Sequence, residues 1–223
     1  HKKSTFSLFK GDKENVNFID EIDTEKLNKD NWILTSNDIL KKLNEIERRG
    51  LPLGKIAKIH VGITTLADDY YIFKDPVFKG SFAEIKLKDG RTFQIEREIL
   101  KPIIKVSVLK NPNEDQNRFI IFPYKKIDNK HFIIPEDELK EKYPRTYDYF
   151  KVIKNILNSR DKGKPNPVAW YAFGRSQGLD TSFGKKILTS PINLKPNFIV
   201  WEKEEYTFYA GYCIKYDGDL KLL

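Results

Sequence analysis

The sequence predicts a mixed α+β fold, with largely antiparallel sheets and a few packed helices. Most apolar residues fall in short runs that alternate with period two, as half-buried strands do. Only two stretches, after Ser36 and after Pro135, carry the helical period with start and stop signals. No internal repeat or low-complexity tract is present.

Each element follows from its own residues. Residues 1–31 are rich in lysine and acids with a few apolar positions, and read as a strand or two plus linker. Ser36 is an N-cap candidate and Asp38 a first-turn acid. Ile39, Leu40, Leu43 and Ile46 recur at helical spacing, and Arg48-Arg49-Gly50 with Pro52 ends that helix. Ile59, Val61 and Ile63 then alternate as a strand. Tyr70 to Phe73, Phe82 to Leu87 and Thr92 to Ile95 continue the pattern, the last two joined by a Lys88-Asp89-Gly90-Arg91 turn. Arg118 to Tyr124 reads as one strong strand and His131 to Ile134 as a shorter one. Pro135 with Glu136, Asp137 and Glu138 opens a helix that Pro144 restarts. Tyr147, Phe150, Ile153, Ile156 and Leu157 form its apolar face up to Arg160. Asp161 to Pro167 is a basic loop with two prolines and a glycine. Ala169 to Phe173, Lys186 to Thr189, Asn197 to Trp201 and Thr207 to Ile214 read as strands.

The 223 residues make one large domain or two small ones, and 39% hydrophobic content is enough for a sizeable core. The 40 basic against 32 acidic side chains leave a net charge of +8, which suits a polyanionic partner. No apolar run approaches the length of a membrane helix, and His1-Lys2-Lys3-Ser4-Thr5 is not a signal peptide, so no membrane partner is expected. One cysteine, Cys213, excludes an internal disulfide and a cysteine-based zinc site. A cytoplasmic, reducing setting fits these features. The chain holds no methionine, even at position 1, and reads as a fragment.

Catalytic signatures are missing. His1, His60 and His131 are scattered, and no nucleophile elbow, phosphate loop or dinucleotide motif occurs. Asp75, Glu84 and Lys86 have the look of a metal-dependent nuclease set, which needs converging carboxylates and a lysine to polarise water. In a chain that is 32% charged, a solvated hairpin accounts for the same residues. Binding chemistry is better represented. Gly174-Arg175-Ser176-Gln177-Gly178 puts a guanidinium, a hydroxyl and an amide on one loop, a base-reading composition that an ordinary solvated turn also has. Lys162, Lys164, Lys185 and Lys186 supply phosphate-contact chemistry around it. Thr64 and Thr65 follow Gly62 at a strand end, either as phosphate-contacting hydroxyls or as a plain bulge. Tyr124 and Trp170 suit a core or an interface equally.

Leu53 to Thr65 with Tyr71-Ile72-Phe73, Leu100 to Lys105, Arg118 to Tyr124, Tyr143-Pro144 to Leu157, Trp170 to Arg175, Lys185 to Leu188 and Phe208 to Tyr212 occur in an order that resembles a known family. They look like the TaqI-like C-terminal specificity domain of adenine-N6 DNA methyltransferases and fused type IIG restriction–modification enzymes. The resemblance implies a double-stranded DNA recognition domain over residues 32–223, cut short at its C-terminal end, after a 1–31 linker. It implies Arg175 and Gln177 as base readers, with Thr64, Thr65, Lys162, Lys164, Lys185 and Lys186 on the backbone and Tyr124 and Trp170 nearby. It also implies a methyltransferase domain on the same polypeptide that binds S-adenosylmethionine. That domain's Asn-Pro-Pro-Tyr motif is missing here, since Asn111-Pro112 and Asn166-Pro167 are followed by Asn113 and Val168. The chain alone is expected to methylate nothing. The competing readings are the nuclease set above and a module that docks onto another subunit.

Overall fold

The computed structural model describes residues 5–11, 14–27 and 32–220, and it is mixed α+β with mostly antiparallel sheets. His1 and the end of the expected 1–31 linker lie outside the described residues. Contacts within the chain divide it into two compact units, residues 1–56 and 57–223. Among the described residues no helix is long and apolar enough to cross a membrane.

The first unit pairs β1 (Thr5–Gly11) with β2 (Val16–Asp23) in an antiparallel hairpin, followed by α1 (Asn37–Arg49) and a single turn, α2 (Leu53–Ile56). Ser36 occupies the cap position of α1 but makes no capping bond with its side chain. Asp20 of the hairpin takes that role, accepting from the Asn37 N–H at 2.8 Å. The two backbone N–H groups of Asn37 and Glu21 hold its carboxyl below the usual range.

In the second unit β3 (Lys58–Val61) is followed by α3 (Asp68–Tyr71), β4 (Ile72–Lys74), β5 (Val77–Lys79), β6 (Phe82–Lys86), β7 (Thr92–Glu96) and β8 (Leu100–Lys105). Then come β9 (Arg118–Ile121), β10 (Tyr124–Ile127), β11 (Lys130–Ile133), α4 (Glu136–Lys142), α5 (Pro144–Val152), α6 (Lys154–Asn158) and α7 (Arg160–Gly163). The chain closes through β12 (Lys186–Thr189), β13 (Ile199–Trp201), β14 (Thr207–Tyr209) and β15 (Tyr212–Lys215). Two four-stranded sheets run in the orders β13-β12-β15-β3 and β14-β8-β9-β4, with β5-β6-β7 and β10-β11 as smaller ones. Only β14 and β8 are parallel among these pairs. The larger core gathers Tyr71, Phe73, Phe122, Tyr149, Phe150 and Tyr171 between helices and sheets. A smaller one holds Leu188, Trp201, Phe208 and Cys213.

Four strand expectations are corrected. Tyr70 and Tyr71 end the helical turn of α3, so the strand starts only at Ile72. Arg118 to Tyr124 splits into β9 and β10 because Pro123 has no N–H to give a ladder. The Tyr124 N–H bonds back to the Phe122 carbonyl at 2.8 Å, a tight reversal. Thr207 to Ile214 breaks between β14 and β15 at Ala210, whose φ is +53°. Ala169 to Phe173 is no strand at all, because side chains rather than a ladder take up its backbone groups.

Candidate nucleic-acid interface

The backbone of residues 170–173 is satisfied from several directions. The Trp170 and Ala172 carbonyls accept from the Arg160 guanidinium, each at 3.0 Å. The Tyr171 carbonyl accepts from the Tyr71 hydroxyl at 2.9 Å, and that of Phe173 from the Asn166 amide at 2.9 Å. The Phe173 N–H donates to the Tyr124 hydroxyl at 2.7 Å. Buried carbonyls need partners of some kind, and these donors supply them without a neighbouring strand. Arg160 also donates to the carbonyls of Leu157 and Thr65, so one buried guanidinium joins the end of α6, the loop after β3 and the 170–173 segment.

The chain then runs directly against residues 62–66. The Gly174 N–H donates to the Thr65 carbonyl at 3.0 Å and the Arg175 N–H to the Thr64 carbonyl at 3.1 Å. A Cβ on Gly174 would lie 2.4 Å from Leu66 Cγ, and one on Gly178 would lie 2.8 Å from the Gly62 carbonyl oxygen. Gly178 also has a φ of +82°, a conformation that side-chain-bearing residues rarely adopt. The two glycines thus let two loops close on each other, and both loops were legible as candidates in the sequence.

Between them these loops expose Arg175 and Gln177, with Thr64 half-buried. Gln177 Nε2 lies 3.5 Å from Thr64 Oγ1. A groove of about 530 Å³ runs beside them, lined also by Ser107, Ser190, Ile192 and Tyr212. Lys164 shares a small cleft of about 60 Å³ with Asp161, Gly174 and Arg175. Arg175 bonds both oxygens of Asp161, Nη1 at 3.2 Å and Nη2 at 3.1 Å. The guanidinium holds the Asp161 carboxyl below its usual range. Lys162 is exposed beside it, and both Asp161 and Lys162 have left-handed backbone, with φ of +50° and +62°. This explains why the basic loop closes one turn after Arg160 and goes no further as helix.

Three of the ten sequence candidates are withdrawn from the surface. Thr65 is fully buried, donating to Asp68 at 2.5 Å and accepting from the Ala67 N–H at 2.9 Å. Tyr124 is buried in the larger core, where burial pushes its phenol up. Lys186 is also fully buried, donating to the carbonyls of Gly184 and Tyr206 at 2.7 Å each. Desolvation pushes its ammonium down to about 7. Buried in this way, they cannot reach a phosphate. Trp170 is half-buried against Phe150 and Tyr171, with Lys154 Nζ 4.6 Å from its ring centroid. Lys185 is exposed just before β12, outside the paired loops. Arg160 and Asp161 were missed as site-forming residues, since a helix-ending arginine and a loop aspartate look like ordinary surface in the sequence.

The carboxylates of the nuclease reading have other partners. Asp75 accepts from the Asn117 amide at 2.7 Å, and Glu84 pairs with Lys79 at 2.9 Å. Among the described residues no group of three or more His, Cys, Asp or Glu could hold a metal ion.

No family model matches the chain. Over 170 residues, 70% of its length, it is 34% identical to the type II restriction enzyme and methyltransferase RM.Eco57I of Escherichia coli. That stretch is 17% of the relative, so the likeness is to one part of a much longer protein. The chain is thereby related to a restriction–modification enzyme.

Proposed function

We propose that residues 32–223 form the target-recognition domain of an adenine-N6 DNA methyltransferase of the TaqI-like, type IIG kind. The domain grips duplex DNA and positions the target adenine for a methyltransferase domain on the same polypeptide. The observation that carries this reading is the fastening of loop 62–66 to loop 174–178, which sets Gln177 beside Thr64 and bonds the Arg175 backbone to the same loop. A guanidinium, an amide and a hydroxyl on a rigid support are the groups that read base edges and hold phosphates. The kinship with a restriction–modification enzyme and the net charge of +8 support the same reading. Arg175 and Gln177 read bases, while Thr64, Lys162, Lys164 and Lys185 contact the backbone. A firm grip matters because extruding a base costs a few kcal/mol.

S-adenosylmethionine does not fit the glycine loop of this chain. Protein atoms already fill the space above Gly174 and Gly178, so neither opens a cradle for a nucleoside. The cofactor belongs to the catalytic domain, and this chain contributes binding and orientation.

The direct test is affinity for a mixed-sequence duplex across a salt titration. Neutralising Z phosphates gives log K falling against log[salt] with a slope near −0.9Z. A slope of about −3 or steeper is expected, from three or more phosphate contacts. A flat line, or no binding at low salt, would refute the reading.

A further inference from the structure

We propose that Asp161 is a positioning residue that fixes which edge of Arg175 faces the DNA, and that the base so read is a guanine. The inference rests on the recognition reading above and names one position of its specificity.

A guanidinium has two bidentate edges, an end-on edge formed by Nη1 and Nη2 and a side-on edge formed by Nε and Nη2. In Arg175 the end-on edge is occupied by Asp161, through Nη1 to Oδ2 and Nη2 to Oδ1. The second Nη1 hydrogen donates to the Gly174 carbonyl at 2.9 Å. Among the described residues the Nε–H and the remaining Nη2–H have no hydrogen-bond partner, and they lie parallel on the side-on edge. Arg175 itself is exposed. What it presents is therefore two donors at the spacing of two acceptors. In the major groove guanine offers that pair as N7 and O6, whereas adenine replaces the second acceptor with an amino donor.

The carboxylate is held in place by more than the ion pair. It follows Arg160, which is buried and anchored to four backbone carbonyls. Its own backbone is left-handed at φ +50°, and Lys162 follows at φ +62°. An exposed ion pair adds little to folding stability.

The experiment selects preferred sites from randomised duplexes with the full chain, then replaces each guanine in turn by 7-deazaguanine. That base lacks N7 and leaves pairing intact. At one guanine the wild-type chain should lose affinity on the order of tenfold. Arg175→Ala should abolish that sensitivity, because no donor is then left to face N7. Asp161→Asn removes the charge while keeping a residue type at home in left-handed backbone, so it should fold with an unchanged melting temperature. It should reduce the loss at that guanine to about threefold or less, leaving the salt slope in place. Should Asp161→Asn keep the full 7-deazaguanine penalty, or tighten binding to every duplex equally, the assignment is overturned while the recognition reading stands. Duplex binding without any base preference overturns the assignment as well. Absence of salt-dependent duplex binding overturns both.

Discussion

Truncating Arg160 to alanine would leave the carbonyls of Leu157, Thr65, Trp170 and Ala172 without their guanidinium donor. Bonds to a charged donor are worth more than neutral ones, and buried carbonyls left unpaired add a desolvation cost. Arg160→Ala is expected to destabilise the chain by at least about 2–3 kcal/mol, read as a lowered urea midpoint. The same variant should loosen residues 170–175, seen as faster amide exchange of Gly174 and Arg175. Lys186 gives a second test at this scale. Its folded pKa of about 7 lies below the ordinary 10.5, so between those values the unfolded chain holds a proton that the folded chain releases. Stability from this group therefore rises with pH across that window, and the penalty is fully present below it. Lys186→Met should flatten the rise by a few kcal/mol between pH 7 and pH 10, measured as the difference in unfolding free energy at each pH. An unchanged pH dependence would mean that Lys186 keeps its ordinary pKa.

Among the elements, the paired loops depend on close approach more than on any one bond. Gly178→Ala places a Cβ 2.8 Å from Gly62 backbone and in left-handed conformation, which should separate loop 174–178 from loop 62–66. The cost expected is about 2 kcal/mol or more in stability, with any base preference abolished alongside. Gly90→Ala is the matched control, with φ +91° in the β6–β7 turn but open space around it. It should cost only about 1 kcal/mol and leave DNA binding unchanged. Both loops were readable from sequence as glycine-flanked polar segments. Their pairing was not, because it joins residues more than a hundred positions apart through backbone groups that every sequence possesses. The failed strand over Ala169 to Phe173 has the same origin. Its apolar, aromatic text is strand-like, yet Tyr71, Tyr124, Arg160 and Asn166 supply the hydrogen bonds a ladder would have given.

For the whole molecule, the effects of the phosphate-binding lysines should add up. Alanine substitution of Lys162 or Lys164 is expected to weaken binding to all duplexes alike. Each should make the salt slope shallower by about 1, one phosphate fewer being neutralised. Lys186→Met should leave that slope unchanged, since its ammonium is buried. The unit formed by residues 57–223 holds both cores and all four of its sheets. Expressed without residues 1–56, it should still unfold in one cooperative transition and keep the salt slope of the full chain. A slope near zero in that shorter protein would assign the duplex contacts to the first unit.

Periodicity and capping signals in the sequence determined the mixed α+β class, the helix after Ser36 and the α4–α6 series, along with the β6–β7 hairpin. These are local properties, settled by which residues alternate and where proline, glycine and acids fall. The candidate basic and hydroxyl residues were also visible, but only the tertiary structure decided which of them reach water. Thr65, Tyr124 and Lys186 are buried, Thr65 bonded locally to Ala67 and Asp68, Tyr124 to the distant Phe173 N–H, and Lys186 to the Gly184 and Tyr206 carbonyls. Gln177 lies beside Thr64, and Arg175 is bonded to the same loop, because two glycines let backbones more than a hundred positions apart touch, and no periodicity records such an encounter.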